Sequence, residues 1–165
     1  MRRTAVPRSP ILQVILVGLG VATVDLASKA VAVAWLGDRV IELVPSLRLL
    51  LVRNPGLAAG QVAAIAVLML LIFLVIGQLA DRDPGAPLAM GLLAGAAVGN
   101  LTSVLGSRGT VVDFIEIGSA RAAIVGNLAD FSVVAGLMLL ARTLYRLARL
   151  LAARPGPLAS PNGPL

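Results

Sequence analysis

Apolar residues dominate the chain in four long runs, separated by segments where charge, proline and glycine collect. A hydrocarbon core about 30 Å thick needs roughly 20 helical residues to cross it. Four stretches meet that length, residues 11–35, 61–80, 87–105 and 122–145, and the pattern predicts four transmembrane helices. In the first connection, residues 39–44 and 47–52 read as short strands split by Pro45-Ser46, a small hairpin at the membrane surface. After Arg154 the composition turns to Pro155, Gly156, Pro157, Pro161, Gly163 and Pro164, that of a disordered tail. No internal repeat is visible, so residues 1–154 are expected to form one membrane domain, with 155–165 as its tail.

The opening of the first run imitates a secretory signal peptide, with Arg2 and Arg3 ahead of it and Ala32 and Ala34 near its end. Asp25 and Lys29 inside the run argue against that reading, because a cleavable apolar region is short and uncharged. Arginine placement sets the orientation, since the more basic flanks stay in the cytoplasm. Arg2, Arg3 and Arg8 precede the first span, and Arg142, Arg146, Arg149 and Arg154 close or follow the fourth. Both termini are therefore expected in the cytoplasm, with Asp81-Arg82-Asp83-Pro84-Gly85 as a tight cytoplasmic turn. Connections 37–60 and 106–121, whose charges nearly cancel, then face outward.

Composition narrows the chemistry. Of 165 residues, 58% are hydrophobic and 13% charged, far more apolar than a soluble domain of this size requires. The net charge of +6 does not point to nucleic acid, because the arginines sit at the ends and in short loops without an aromatic stacking surface. With neither Cys nor His, the chain has no disulfide, thiol nucleophile, cysteine metal site or imidazole base. Hydrolytic chemistry falls to carboxylates, hydroxyls or the single lysine, Lys29. Ser28 and Lys29 are adjacent and lie on different helix faces, which disfavours a serine–lysine pair. Two outer carboxylates with amides offer Mg²⁺ less than the ligand density of a dedicated site, so neither a metal nor another cofactor is expected.

An ionisable residue at the centre of a membrane helix costs about 2.5 to 3.5 kcal/mol, so each asks for a partner or a purpose. At about 1.5 Å per residue, Asp25 lies roughly 15 Å and Lys29 roughly 9 Å below Trp35. They stand four apart on one face and read first as a structural ion pair. The same count puts Asn100 about 7 Å below the outer end of the third span and Asp130 about 12 Å below the outer start of the fourth, with Asn127 one turn above it. The inner halves are nearly bare, Gln13 and Gln78 being the chief exceptions. This predicts a polar cavity opening toward the outer leaflet and argues against the non-enzymatic alternative, a small transporter or structural partner using the intramembrane Asp, Lys and Asn for ion binding or packing. Gly91, Gly95 and Gly99, spaced by four, are read as a close helix contact. Asp130 has no cation within four residues and needs a partner from elsewhere. Asp113 is the nearest candidate and Glu116 its competitor; two carboxylates brought close share one proton and can activate water.

Asp25-Leu26-Ala27-Ser28-Lys29, Arg53-Asn54-Pro55-Gly56, Gly99-Asn100-Leu101, Val111-Val112-Asp113-Phe114 and Asn127-Leu128-Ala129-Asp130 resemble, in order, the motifs of the lipoprotein signal peptidases (signal peptidase II). The resemblance covers residues 25–130. It implies an all-α integral enzyme of the bacterial cytoplasmic membrane, four helices with a small extracytoplasmic β-cradle. Such an enzyme removes the signal peptide of a prolipoprotein just before a diacylglyceryl-cysteine, with membrane lipid around it, and is expected to act as a monomer. Asp113 and Asp130 match the catalytic aspartates, while Glu116 falls outside the motif. Asn54, Gly56, Asn100 and Asn127 match residues lining the site, and Asp25 and Lys29 match a supporting motif. The sequence also departs from the pattern. Thr102, Ser103 and Val104 follow Leu101 where one residue and then Asp-Arg are usual, so Arg108 is expected to reach back and supply the missing cation. Gly56-Leu57-Ala58-Ala59 lacks the usual aromatic. The alternative these gaps leave is a diverged homologue with another substrate.

Overall fold

The computed structural model of the chain describes residues 9–55, 79–80, 83–119 and 121–153. Helix α1 (Pro10–Trp35) leads into strands β1 (Ile41–Val44) and β2 (Leu47–Pro55); α2 (Ala86–Gly106) leads into β3 (Thr110–Ser119) and β4 (Ala122–Gly126); and α3 (Leu128–Ala152) completes the described chain. Each of the three helices is long and apolar enough to cross a membrane, with mean hydropathy of 2.0, 1.7 and 1.5 along its most apolar stretch. The second predicted span, 61–80, lies outside the described residues except for Leu79 and Ala80, which are helical.

Proline opens both α1 and α2, at a position where the missing N–H would be unpaired anyway. The helices are large outside and small inside. Leu12, Leu16, Leu19 and Val31 on α1 and Val134, Leu137 and Met138 on α3 are exposed, whereas Ala22, Ala32, Ala89 and Ala96 are buried. Lipid tails are as apolar as leucine, so helices associate by close packing of small residues. A Cβ on Gly95 would stand 2.5 Å from the carbonyl oxygen of Gly18, and one on Gly91 2.6 Å from Val17 Cβ. The expected glycine stripe is therefore where α2 meets α1. Gly136 does the same for α3, where a Cβ would lie 2.8 Å from Leu93 Cγ.

At one end of the bundle lies a four-stranded antiparallel sheet, in the order β1-β2-β3-β4. The predicted hairpin is its first half. Along β3, side chains alternate with the period of two that a strand imposes. Val111, Asp113, Ile115 and Ile117 line a cavity. On the other face, Phe114 packs with Ala32 and Leu36 at the end of α1, and Glu116 accepts a hydrogen bond from Arg48 Nε at 2.9 Å.

The structure corrects the start of the last predicted span. Residues 122–126 are not helical but form β4, paired with β3 through Ile117↔Ile124 and Ile115↔Gly126. Hydropathy cannot separate Ala-Ala-Ile-Val in a strand from the same residues in a helix. The division falls at Asn127, which is extended (φ −137°) and caps α3. Asp130 consequently sits in the first turn of α3 rather than some two turns into a helix.

At the opposite end, Asp83 fastens the turn before α2 to α3. Its Oδ1 accepts the Gly85 N–H at 2.9 Å, and its Oδ2 lies 3.7 Å from Arg146 Nη1. The Gly85 amide holds the Asp83 carboxyl below the usual carboxylate range; burial opposes this, and Arg146, Thr143 and Arg142 reinforce it.

Candidate active site

Three helices meet on one buried carboxylate. Asp25 of α1 accepts Lys29 Nζ at 2.6 Å on Oδ2 and the backbone N–H of Ala129 at 2.9 Å on Oδ1. That N–H is one of those left without an intrahelical partner at the start of α3. From α2, Gly99 provides the clearance, since a Cβ there would stand 2.5 Å from Asp25 Oδ2.

Lys29 reaches beyond its ion pair. Its Nζ also donates to Asn100 Oδ1 at 2.7 Å, which turns the Asn100 amide so that Nδ2 faces Asp130 Oδ1 at 3.4 Å. On its other side, Asp130 is locked into a capping box. Asn127 Oδ1 accepts the Asp130 N–H at 3.2 Å, and Asp130 Oδ2 accepts the Asn127 N–H at 2.9 Å. The remaining end of the Asn127 amide donates from Nδ2 to Asp113 Oδ1 at 2.6 Å. Asn54 of β2 donates to Asp113 Oδ2 at 3.3 Å. One fully buried asparagine thus holds both acids, one on β3 and the other on α3.

The two acids differ in surroundings. Asp113 is 3% exposed, whereas Asp130 is open to the cavity. Burial pushes the Asp113 carboxyl above its ordinary value of 3.8; hydrogen bonds from Asn127 and Asn54 oppose the shift, the Asp130 charge adds to it, and Lys29 counters it. The cavity is about 630 Å³, with Asn54, Asn100, Asp113, Asn127 and Asp130 at its polar end and Ile115, Ile117, Ile124, Phe131 and Val134 along its apolar walls. A pair of carboxyls lining one cavity, one buried and one open, is the kind of arrangement in which acid peptidases orient a water between an acid and a base.

Of the residues singled out in the sequence, Asp113, Asp130, Asn54, Asn100 and Asn127 line this one cavity, with Asp25 and Lys29 directly behind it. Gly56 lies outside the described residues. Arg108 does not supply the expected cation. It occupies the turn between α2 and β3 in the left-handed conformation (φ 53°), is exposed, and makes no ion pair among the described residues. Among the described residues the cation at the site is Lys29. Glu116 pairs with Arg48 on the opposite sheet face, so strand alternation leaves Asp113 as the acid on the cavity. Sequence reasoning missed the link from Lys29 to Asn100, although their similar depths were a signal for it. It also missed Ser103, whose buried hydroxyl accepts the Val112 N–H at 3.1 Å.

Helices long and apolar enough to cross a membrane, around a cavity with two carboxyls, fit a membrane enzyme of the acid type. Residues 17–146 match the family described as signal peptidase (SPase) II, and the chain belongs to that family of aspartic-type peptide hydrolases. It is 35% identical over 135 residues to a lipoprotein signal peptidase of Pelotomaculum thermopropionicum, covering 75% of this chain and 86% of that one. It is 36% identical over 150 residues to a lipoprotein signal peptidase of Rhodococcus jostii, covering 79% and 70%. Two solved structures of bacterial membrane enzymes, obtained by the in meso method at 1.9 and 2.3 Å, share the fold with TM-scores of 0.62 and 0.65 at 24% and 23% identity. The first covers 81% of this chain and 93% of its own, the second 90% and 96%.

Proposed function

We propose that the chain removes the signal peptide from diacylglyceryl-modified prolipoproteins, cutting before the lipidated cysteine, with Asp113 and Asp130 activating a single water. The observation that carries this reading is the Asn127 side chain, which ties Asp113 directly and Asp130 through the capping box, so that both acids address one cavity. Asp113, buried and shifted upward, holds the shared proton, leaving Asp130 to accept one. Water oxygen attacks the scissile carbonyl as its proton passes to Asp130. The C–N bond then breaks as the Asp113 proton goes to the departing nitrogen, and no covalent intermediate forms. Asn54 is placed to donate to the substrate backbone or to the developing oxyanion.

Phe131 and Val134 on α3 extend the cavity along an apolar helix face, which suits a substrate whose acyl chains remain in lipid. The arginine distribution supports a bacterial cytoplasmic-membrane enzyme with both termini inside and the sheet end outside. The test is cleavage of a lipobox-bearing prolipoprotein by the purified protein, compared with Asp113→Asn and Asp130→Asn. Each variant is expected to lose about 10²- to 10⁴-fold in rate. Full cleavage by either overturns the two-aspartate assignment, and a folded wild type that leaves this substrate intact overturns the substrate assignment.

A further inference from the structure

Among the described residues, the stretch of β3 that carries Asp113 has a strand neighbour on one side only. It pairs with β2 through Val52↔Asp113, Arg53↔Val112 and Asn54↔Val111, while β4 begins pairing only at Ile115↔Gly126. Even the β2 side is irregular here, because the register shifts between Leu49 and Val52, next to the partner of Asp113. Val112 is 2% exposed, and a backbone N–H buried that deeply needs an acceptor. Ser103 of α2 supplies it. The side chain is buried, and Oγ accepts the Val112 N–H at 3.1 Å. Beyond the bonds of the tight turn at 107–110, this is the one hydrogen bond among the described residues that joins α2 to β3.

The geometry assigns Ser103 as the positioning residue for Asp113: its hydroxyl takes the Val112 N–H on the side away from β2 and ahead of the β4 pairing, and fixes β3 at the residue before the acid, so that the carboxyl projects onto Asn127 and Asn54. This rests on the two-aspartate reading. Ser103 does not line the cavity and touches no reacting atom, so it acts only through the strand. A displacement of the carboxyl by about 1 Å is enough to cost roughly 100-fold in rate, because acid and water must meet in one geometry.

The test uses the full chain in detergent with a diacylglyceryl-modified prolipoprotein, reading kcat, KM and amide exchange of the 110–114 segment. Ser103→Ala is expected to lower kcat by about 10- to 100-fold. KM should stay near the wild-type value, because the cavity walls are untouched, and exchange should quicken in that segment alone. Ser103→Thr, which keeps the Oγ acceptor, is expected to restore both protection and kcat. Thr102→Val, which removes an exposed hydroxyl from the adjacent position, should change neither. Wild-type kcat in Ser103→Ala overturns the inference, as does a Thr variant that protects β3 yet stays as slow as Ala. If the wild type itself fails to cleave, it is the substrate assignment of the proposed function that has failed. The exchange comparison then decides separately whether Ser103 holds β3, and unchanged exchange in Ser103→Ala overturns that hold.

Discussion

Asn127 performs two tasks with one amide, and substitution can separate them. Its Oδ1 caps α3 by accepting the Asp130 N–H at 3.2 Å, while its Nδ2 donates to Asp113 at 2.6 Å. Asn127→Ser retains an acceptor suited to the cap but loses the donor, and Asn127→Ala loses both. The cap is worth about 1 kcal/mol, so Ala should unfold more readily than Ser by about that amount. The donor to a charged or proton-sharing carboxyl is worth about 1.5 to 3 kcal/mol. Expressed in the transition state at about 1.4 kcal/mol per tenfold, its loss slows both variants by roughly 10- to 100-fold. The assays are thermal unfolding in detergent and single-turnover cleavage of a lipobox peptide. A Ser variant with wild-type turnover would show that Asn127 serves only the helix end, and the proposed coupling of the two acids through it would be lost.

Three further outcomes follow from the same geometry. Because burial holds the Asp113 carboxyl above 3.8 and its protonated form is the active one, kcat/KM should fall as pH rises through that raised value; the proton's contribution to folding, complete below 3.8, is lost over the same interval. A pH–rate profile that climbs there would refute the role of Asp113 as acid. Lys29→Met strands the buried Asp25 and should cost about 3 to 5 kcal/mol of stability, whereas the double variant with Asp25→Asn should cost less yet still cleave slowly because Asn100 is no longer oriented. Equal unfolding of the single and double variants would contradict this. Gly99→Ala places a methyl 2.5 Å from Asp25 Oδ2 and should destabilise by about 1 to 3 kcal/mol, while Gly20→Ala, with nothing within 4 Å, should not; unfolding midpoints compare the two directly.

Long apolar runs made α1 and α2 readable to within a residue at each end, because hydrocarbon permits few alternatives to a helix of that length. The strands were harder. Residues 122–126 are as apolar as the helix they precede, and only their pairing with β3 sets them apart. The signature Asn127-x-x-Asp130 at the head of α3 does mark a capping box, and it locates the helix start better than hydropathy does. Depth counting brought Asn100 and Lys29 to one level but could not tell that Lys29 has two partners. Arg108 shows the opposite limit: its charge suited the gap left after Leu101, but it sits exposed in a left-handed turn and pairs with neither acid among the described residues.

Asp25 and Ala129 are joined across 104 positions of the chain. During synthesis α1 can enter the bilayer with its aspartate and lysine neutralising each other, long before its eventual hydrogen-bond partner has been translated. The last seat on that carboxylate stays vacant until α3 inserts, and the same insertion delivers Asp130. Under the two-aspartate proposal, a nascent chain therefore carries no functional blade until the bundle is complete.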